Sequence, residues 1–361
     1  MSVTAQAGLF GFGIQANGEK GQPVGTWYRH KALFAGYGPD VQKEVAPPEI
    51  SGINNPTGAY KTGAGFGGRV SLQPRLEGDF GWLLLGAAGN CSSVANATTG
   101  FTHTFTQKPG NAIFIPFMGF RRVIPGRDTT KDLGETGKDC IIPTMVINYP
   151  QVGPLSTDLQ ILGREFLFDN APDLFAWADV TENYDSVPMV MKGSGLLLPN
   201  WVFGGGVPLP ATNARVTLNN NTSTPQEERV IGSYFPEDFT TRQRSLTIEF
   251  TYKWDNPDLY RFIINGGDPA TLDFRPCCEY TDLQLEVESP CDISDAVPFP
   301  WTFRIEAPKV DWRYDPIQLS GDELLMMNVT GVAVEADSTL AEDYFKFILS
   351  NAQASYPMPV A

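Results

Sequence analysis

The sequence is poorest in histidine, with only His30 and His103 in 361 residues. Cysteine is sparse too: Cys91, Cys140, Cys277, Cys278 and Cys291 form an odd set without Cys-x-x-Cys spacing. Neither a zinc site nor a disulfide framework is expected, and reduced thiols are the simplest reading, the adjacent Cys277 and Cys278 being an unusual pair to bridge. Long apolar runs are missing as well. The best, Trp82-Leu83-Leu84-Leu85, breaks at Gly86, far short of the roughly 20 residues that span a bilayer. No basic segment followed by an apolar one opens the chain. A soluble protein made in a cytosol, with no membrane partner, is the expectation.

Positive charge is also short. Lys and Arg number 26 against 41 Asp and Glu, a formal net charge of −15, so binding to a phosphate backbone through counterion release is not expected, although acidity that merely keeps a soluble protein dispersed accounts for the excess equally well. Catalytic motifs are lacking: there is no Gly-x-Ser-x-Gly elbow, phosphate-cradling loop or His-Glu-x-x-His run. Gly204-Gly205-Gly206 has no following lysine and helix start and reads as a turn. The paired acids Glu227-Glu228, Glu237-Asp238 and Asp322-Glu323 are adjacent in sequence and point different ways, whereas glycosidase chemistry needs two carboxyls facing across a sugar. His103 shares the parity of Phe101 and Phe105 in an alternating strand and reads as a packing histidine. The expectation is no enzyme, no catalytic residue, no cofactor and no metal.

What is present is glycine and proline, 36 and 29 of them, scattered among 12% aromatic residues. That mix suits many short strands joined by turns. The chain opens with Gly8-Leu9-Phe10-Gly11-Phe12-Gly13-Ile14-Gln15, an arm leading into strand, and extended signals follow at Trp27-Tyr28 and Leu33-Phe34. Residues 46–68, rich in Pro, Gly and Asn, predict a long loop. Arg69-Val70-Ser71-Leu72-Gln73 has the period-two alternation of a half-buried strand. A helix is expected next, with Asp79 as N-cap, Phe80, Leu83, Leu84 and Ala87 on one stripe, and Gly89 as its stop. Gly81 and Gly86 oppose it by roughly 1 kcal/mol each relative to Ala. Further strands are expected at 101–106, 113–120, 141–148 and 156–168, and a link at 170–186 with a short helix at Leu174-Phe175-Ala176-Trp177.

The second half repeats the order of the first. Arg69-Val70-Ser71-Leu72 leads into Asp79-Phe80-Gly81-Trp82-Leu83-Leu84-Leu85-Gly86; Arg244-Ser245-Leu246-Thr247-Ile248-Glu249-Phe250 leads into Asp258-Leu259-Tyr260-Arg261-Phe262-Ile263-Ile264-Asn265. Each is a strand, a polar break, a short helix and a glycine stop. Glu49 corresponds to Glu228, 112–120 to 297–305, and 138–147 to 321–334. Two tandem β domains, 1–180 with an N-terminal arm and 181–361, are the expectation; a single large domain also fits the length.

These blocks resemble the tail tube, or major tail, proteins of long-tailed bacteriophages. The likeness rests on the glycine-rich start through Gln15, Glu49 through Gly89-Asn90, Phe101-Thr102-His103-Thr104-Phe105-Thr106, Ala214 through Asn220, Ser245 to Gly267, and Leu319-Ser320-Gly321 through Leu349-Ser350-Asn351-Ala352 to Tyr356. It implies a mainly β fold, a β-sandwich or half-barrel with short flanking helices. It also implies a virion tail protein assembled in host cytoplasm, whose copies join sheet to sheet into rings and whose rings stack into a conduit for genome ejection. With the duplication, a trimer acting as a pseudo-hexamer is favoured over a hexamer. Tape measure, tail terminator and distal tail proteins are the implied partners, and DNA passes the lumen without specific binding, past a wall expected to be acidic.

The aromatics of the arm and of loop-like segments, Phe10, Phe12, Tyr60, Phe66, Tyr234, Phe235 and Phe239, are the candidate assembly contacts. Ordinary packing within the chain accounts for them equally well. Competing functions are a carbohydrate-binding or adhesive β-sandwich module, a capsid or decoration protein, and a β-rich hydrolase.

Overall fold

The structure is a computed structural model and describes residues 8–46, 58–76, 78–96, 100–107, 114–126, 132–169, 180–182, 196–197, 208–209, 211–254, 257–265, 280–294, 297–317, 324–335 and 344–360. It is mainly β. The strands of the first half are β1 (Leu9–Ile14), β2 (Trp27–Arg29), β3 (Ala32–Val45), β4 (Ala59–Leu72), β5 (Gly89–Ala95), β6 (Phe101–Gln107), β7 (Met118–Ile124), β8 (Leu133–Tyr149) and β9 (Ser156–Asp169), with helix α1 (Gly78–Ala88) after β4. After three short strands, β10 (Val180–Glu182), β11 (Leu196–Leu197) and β12 (Pro208–Leu209), come β13 (Ala211–Asn219), β14 (Ser245–Lys253), helix α2 (Asp258–Asn265), β15 (Thr281–Ser294), β16 (Val297–Tyr314), β17 (Met326–Ala333) and β18 (Lys346–Asn351).

Eight of these strands form one antiparallel run in the order β3-β4-β9-β8-β13-β14-β17-β16. The same spatial order occurs twice. In each set the first two strands are sequential neighbours, a helix follows the second, and the two remaining strands return in reversed order. The run forks at its long strands. The first part of β8 carries β7, then β1, then β2 and the parallel β10. The first part of β16 carries β18, β6 and β5 on one side and β15, β11 and β12 on the other. Helix α1 touches β1, β5, β6, β8 and β18, so it lies among the branches where the apolar faces converge.

Alternation explains the run. Val70 and Leu72, Leu159 and Ile161, Val216 and Leu218, Ile248 and Phe250, and Met327 and Val329 are all buried, and the residues between them carry the polar face. The buried side continues into the helix without a break: Phe80 of α1 meets Phe303 of β16 at 5.6 Å between ring centroids, and Trp82 meets Tyr28 at 4.9 Å and Tyr356 at 5.1 Å. A single hydrophobic cluster therefore runs through residues on both sides of position 180.

Three local expectations need correction. Residues 59–68 are strand, not loop: β4 begins at Ala59. Its glycines sit where neighbours come close. A side chain at Gly63 would overlap the Arg229 guanidinium at 2.0 Å, and a Cβ on Gly68, whose φ is +143°, would lie 2.3 Å from the Gly36 carbonyl oxygen. Glycine there reports backbone crowding inside a sheet rather than a turn. Helix α1 is buried all round rather than along one stripe, and its glycines allow that, since a Cβ at Gly81 would lie 2.1 Å from the Tyr356 ring and one at Gly86 2.3 Å from Met118 Sδ. Asp79 lies within the first turn and not at the cap position. The stop at Gly89 has the expected positive φ, 104°. The expected link helix at 174–177, the turn at 204–206 and the Cys277-Cys278 pair lie outside the described residues.

Candidate assembly surface

A sheet of eight strands that does not close on itself has two ends. Here they are β3 and the last part of β16, residues 311–314. Among the described residues β3 pairs only with β4, and residues 311–314 pair only with β17. β3 is 14 residues long and carries exposed Leu33, Phe34 and Val45, at 64%, 54% and 61% of their full surface. A long, apolar, unpaired edge is what isolated proteins avoid, because its free N–H and C=O groups template pairing with another chain.

The chain contains a finished example of such a junction. Where its halves meet, β8 and β13 pair through six residues, from Thr144 opposite Asn219 to Tyr149 opposite Ala214. Just beyond, Asn220 is buried and its Nδ2 donates to the carbonyls of Ile142 at 2.8 Å and Ala87 at 3.1 Å, the latter at the end of α1. Buried Arg244 donates to the Ala88 carbonyl at 2.9 Å. These two side chains occupy orphan acceptors of the helix C-terminus, which otherwise would be buried unpaired. Burial lowers the Arg244 guanidinium to about 10, which the Tyr344 side chain opposes.

A long excursion between β13 and β14, residues 220–244, then folds back over the first half. Ala64 N donates to the Tyr234 carbonyl at 2.8 Å, and Arg164 donates to the Pro236 carbonyl at 2.9 Å and to Asp139 at 2.6 Å. Asp139 also accepts from Gln15 at 2.8 Å and from the Gly21 amide at 2.7 Å. The paired acids of the sequence are used in the same clasp. Glu227 accepts from the Thr224 amide at 2.8 Å and from Arg242 at 3.2 Å, Glu228 from the Thr240 amide at 3.2 Å, and Glu237 from Lys20 at 3.4 Å. The Thr224 amide and Arg242 hold the Glu227 carboxyl below its usual value. Asp322 and Glu323 lie outside the described residues.

The seven candidate contacts divide by burial. Phe10, Phe12 and Phe66 are in the core, with Phe10 against Phe120 at 6.4 Å and Phe66 against Tyr37 at 5.4 Å. Phe239 is buried in a small cluster with Ile115 and Ile141. Phe235 is half-buried against Phe166 at 6.0 Å. Their rings serve packing within the chain and the clasp between its halves. Tyr60 and Tyr234 remain at the surface, 50% and 60% exposed, and the Tyr60 hydroxyl donates to Glu44 at 3.3 Å beside the open edge.

The polar face of the eight-strand run is built from Ser, Thr, Asn and Gln with charges in pairs. Arg69 meets Asp158 at 2.7 Å, Arg215 meets Glu249 at 3.8 Å, and Arg313 meets Asp311 at 3.7 Å. Burial alone would raise the Asp158 carboxyl, but hydrogen bonds from Arg69 and Ser71 outweigh it and keep the group below its usual value. Each of these three arginines has an acid beside it on this face. Sequence reasoning overlooked β15, although Leu283, Leu285 and Val287, all buried, alternate there with Asp282, Gln284 and Glu286. It also overlooked the Asp311-Trp312-Arg313-Tyr314 end of β16, where the same alternation marks an edge.

A family model described as phage tail tube protein matches residues 18–276. No curated protein matches the chain.

Proposed function

Because the chain belongs to the family of phage tail tube proteins, a structural component of the virion tail, we propose that its copies close into rings of three and that the rings stack into the conduit through which the genome leaves. The observation that carries this reading is the open eight-strand run, with β3 and the end of β16 unpaired among the described residues. Joining the last strand of one copy to the first of the next removes both edges, as barrel closure does.

The repeated strand order supports a tandem duplication, so that three chains give a pseudo-sixfold ring of twenty-four strands. At a strand spacing of about 4.8 Å and a tilt of about 35°, such a barrel is about 45 Å across at the backbone, while six chains would make one about twice as wide. Stacking the rings through unlike ends yields an open filament. Assembly takes place in host cytoplasm, with tape measure protein inside and terminator and distal tail proteins at the ends.

The polar face of the run lines the bore in this reading, which revises the expected electrostatics. DNA meets a hydroxyl- and amide-rich wall whose cations are matched by neighbouring acids, so it is neither held nor strongly repelled. The excess of acid then belongs to other surfaces. Negative-stain microscopy of the purified protein tests the proposal. Hollow rods or rings are expected; isolated globules that bind glycans support the adhesive-module reading instead, and closed shells support a capsid or decoration protein.

A further inference from the structure

The junction inside the chain predicts the junction between chains, residue by residue. Two rows cross equivalent sets of strands: Ala35-Val70-Leu159-Met145 in the first half and Ala214-Phe250-Val329-Tyr314 in the second. At the internal joint Met145 faces Leu218, four residues beyond Ala214, the counterpart of Ala35. A stagger of four residues over four strands tilts them by about 35°, within the range that closed barrels adopt; an equivalence shifted by two residues gives only about 20°.

Carried to the end of the chain, the same stagger sets Tyr314 opposite a residue four beyond Ala35 in the next copy, which is Pro39. We propose that the β16 end of one copy pairs antiparallel with β3 of the next in this register, with Arg313 opposite Asp40, Trp312 opposite Val41 and Asp311 opposite Gln42. The proposal rests on the tube reading above and adds to it the partner strand and the register.

Charge supports the register independently. Asp40 is exposed and has no ion-pair partner among the described residues. The Arg313 side chain is 75% exposed and only loosely engaged by Asp311 at 3.7 Å. Directly opposite residues on an antiparallel pair stand close enough for their side chains to interact, and unlike charges there favour pairing. The equivalence shifted by two residues sets Trp312 opposite Tyr37, and so places Gly36, which has no side chain, opposite Arg313.

Cysteine substitution reads the register directly. Opposed residues have Cα atoms about 4.5–5.5 Å apart, inside the span a disulfide bridges. Assembled full-length Asp40→Cys/Arg313→Cys protein, mildly oxidised, is expected to give covalent species of up to three chains in denaturing electrophoresis, while each single variant and Gly36→Cys/Arg313→Cys give none. Tubes that form yet crosslink only through the Gly36 pair, or through neither, overturn the register and leave the tube reading intact; a wild-type protein that forms no ring or rod overturns the tube reading itself. If the cysteine variants do not assemble, charge reversal decides: Asp40→Lys and Arg313→Glu should each cut rod yield at least tenfold and the two together should restore it. A double variant no better than the singles overturns the pairing.

Discussion

Asn220 is a short amide placed where helix α1 ends and where the pairing of β8 with β9 is interrupted between Ile141 and Thr144, so that each element leaves it a carbonyl to satisfy. Its donations to Ile142 and Ala87 predict that Asn220→Ala lowers stability by about 2–3 kcal/mol, because two buried acceptors lose their partner; chemical denaturation measures this, and a change under about 0.5 kcal/mol would show that water replaces the amide. His30 is the second residue with a testable cost. It is 2% exposed, its Nε2 donates to the Gln73 carbonyl at 3.1 Å, and burial, with Arg75 and Lys31 nearby, lowers it from 6.5 to about 4. The folded state thus favours the neutral ring more than the unfolded chain does. The associated stability is complete above pH 6.5 and is lost as pH falls toward 4, on the order of 3 kcal/mol in all. His30→Gln should flatten the stability profile over that window; an unchanged slope would remove His30 as its source. The other histidine was readable from its strand parity. His103 is fully buried, with Nδ1 2.8 Å from Ser93 Oγ and Nε2 3.0 Å from Asn351 Oδ1, a satisfied packing residue as its alternation with Phe105 implied. Asn220 was not readable, since an asparagine after a strand announces a turn equally well.

At the scale of elements, the glycines carry the main lesson. In β4 they were mistaken for a loop because propensity assigns Gly to turns, whereas the deciding factor is how near other backbone and side chains approach. Gly68→Ala is the sharpest probe: the new Cβ would meet the backbone of Gly36 and Tyr37 at 2.3 and 2.5 Å in a conformation that L residues rarely adopt, so a loss of about 3 kcal/mol is expected in thermal or urea unfolding. A near-neutral result would mean that β4 shifts away from β3 at little cost. Strands with clean alternation, β6, β9 and β14, were legible at nearly their full extent. The echo between halves was legible in its strand-helix core and misassigned downstream. Spatial order pairs β8 with β16 and β9 with β17, one strand later than the sequence matches of 112–120 with 297–305 and 138–147 with 321–334. Pairing partners depend on contacts far apart in sequence, as between Val70 and Leu159 or Thr247 and Val332, and no local pattern encodes them.

Among the described residues one large hydrophobic cluster joins two similar strand sets, and that has a consequence for any attempt to divide the chain. β6 finds its partner in β18 and β8 finds one in β13, so fragments 1–180 and 181–361 would each expose unpaired strands and cut through the shared core. Neither should show a cooperative unfolding transition alone, while mixing them from denaturant should recover some folded complex; a monomeric fragment with a sharp melt would show that the halves are independent. The mainly β fold and the structural family were legible because composition and block order act over the entire chain. Most of the chosen aromatic contacts were not, because a phenylalanine flanked by glycine looks the same in sequence whether it faces a neighbouring copy or its own interior, and Phe10, Phe12 and Phe66 face the interior. The edges that the proposed ring uses instead are backbone, visible only once the pairing is known. Cryo-electron microscopy of the assembled tube is the most direct measurement. Threefold rings, with β3 of each chain hydrogen-bonded to β16 of the next in a barrel about 45 Å across at the backbone, are the expected result; six chains per ring, or β3 left unpaired along the tube, would contradict it.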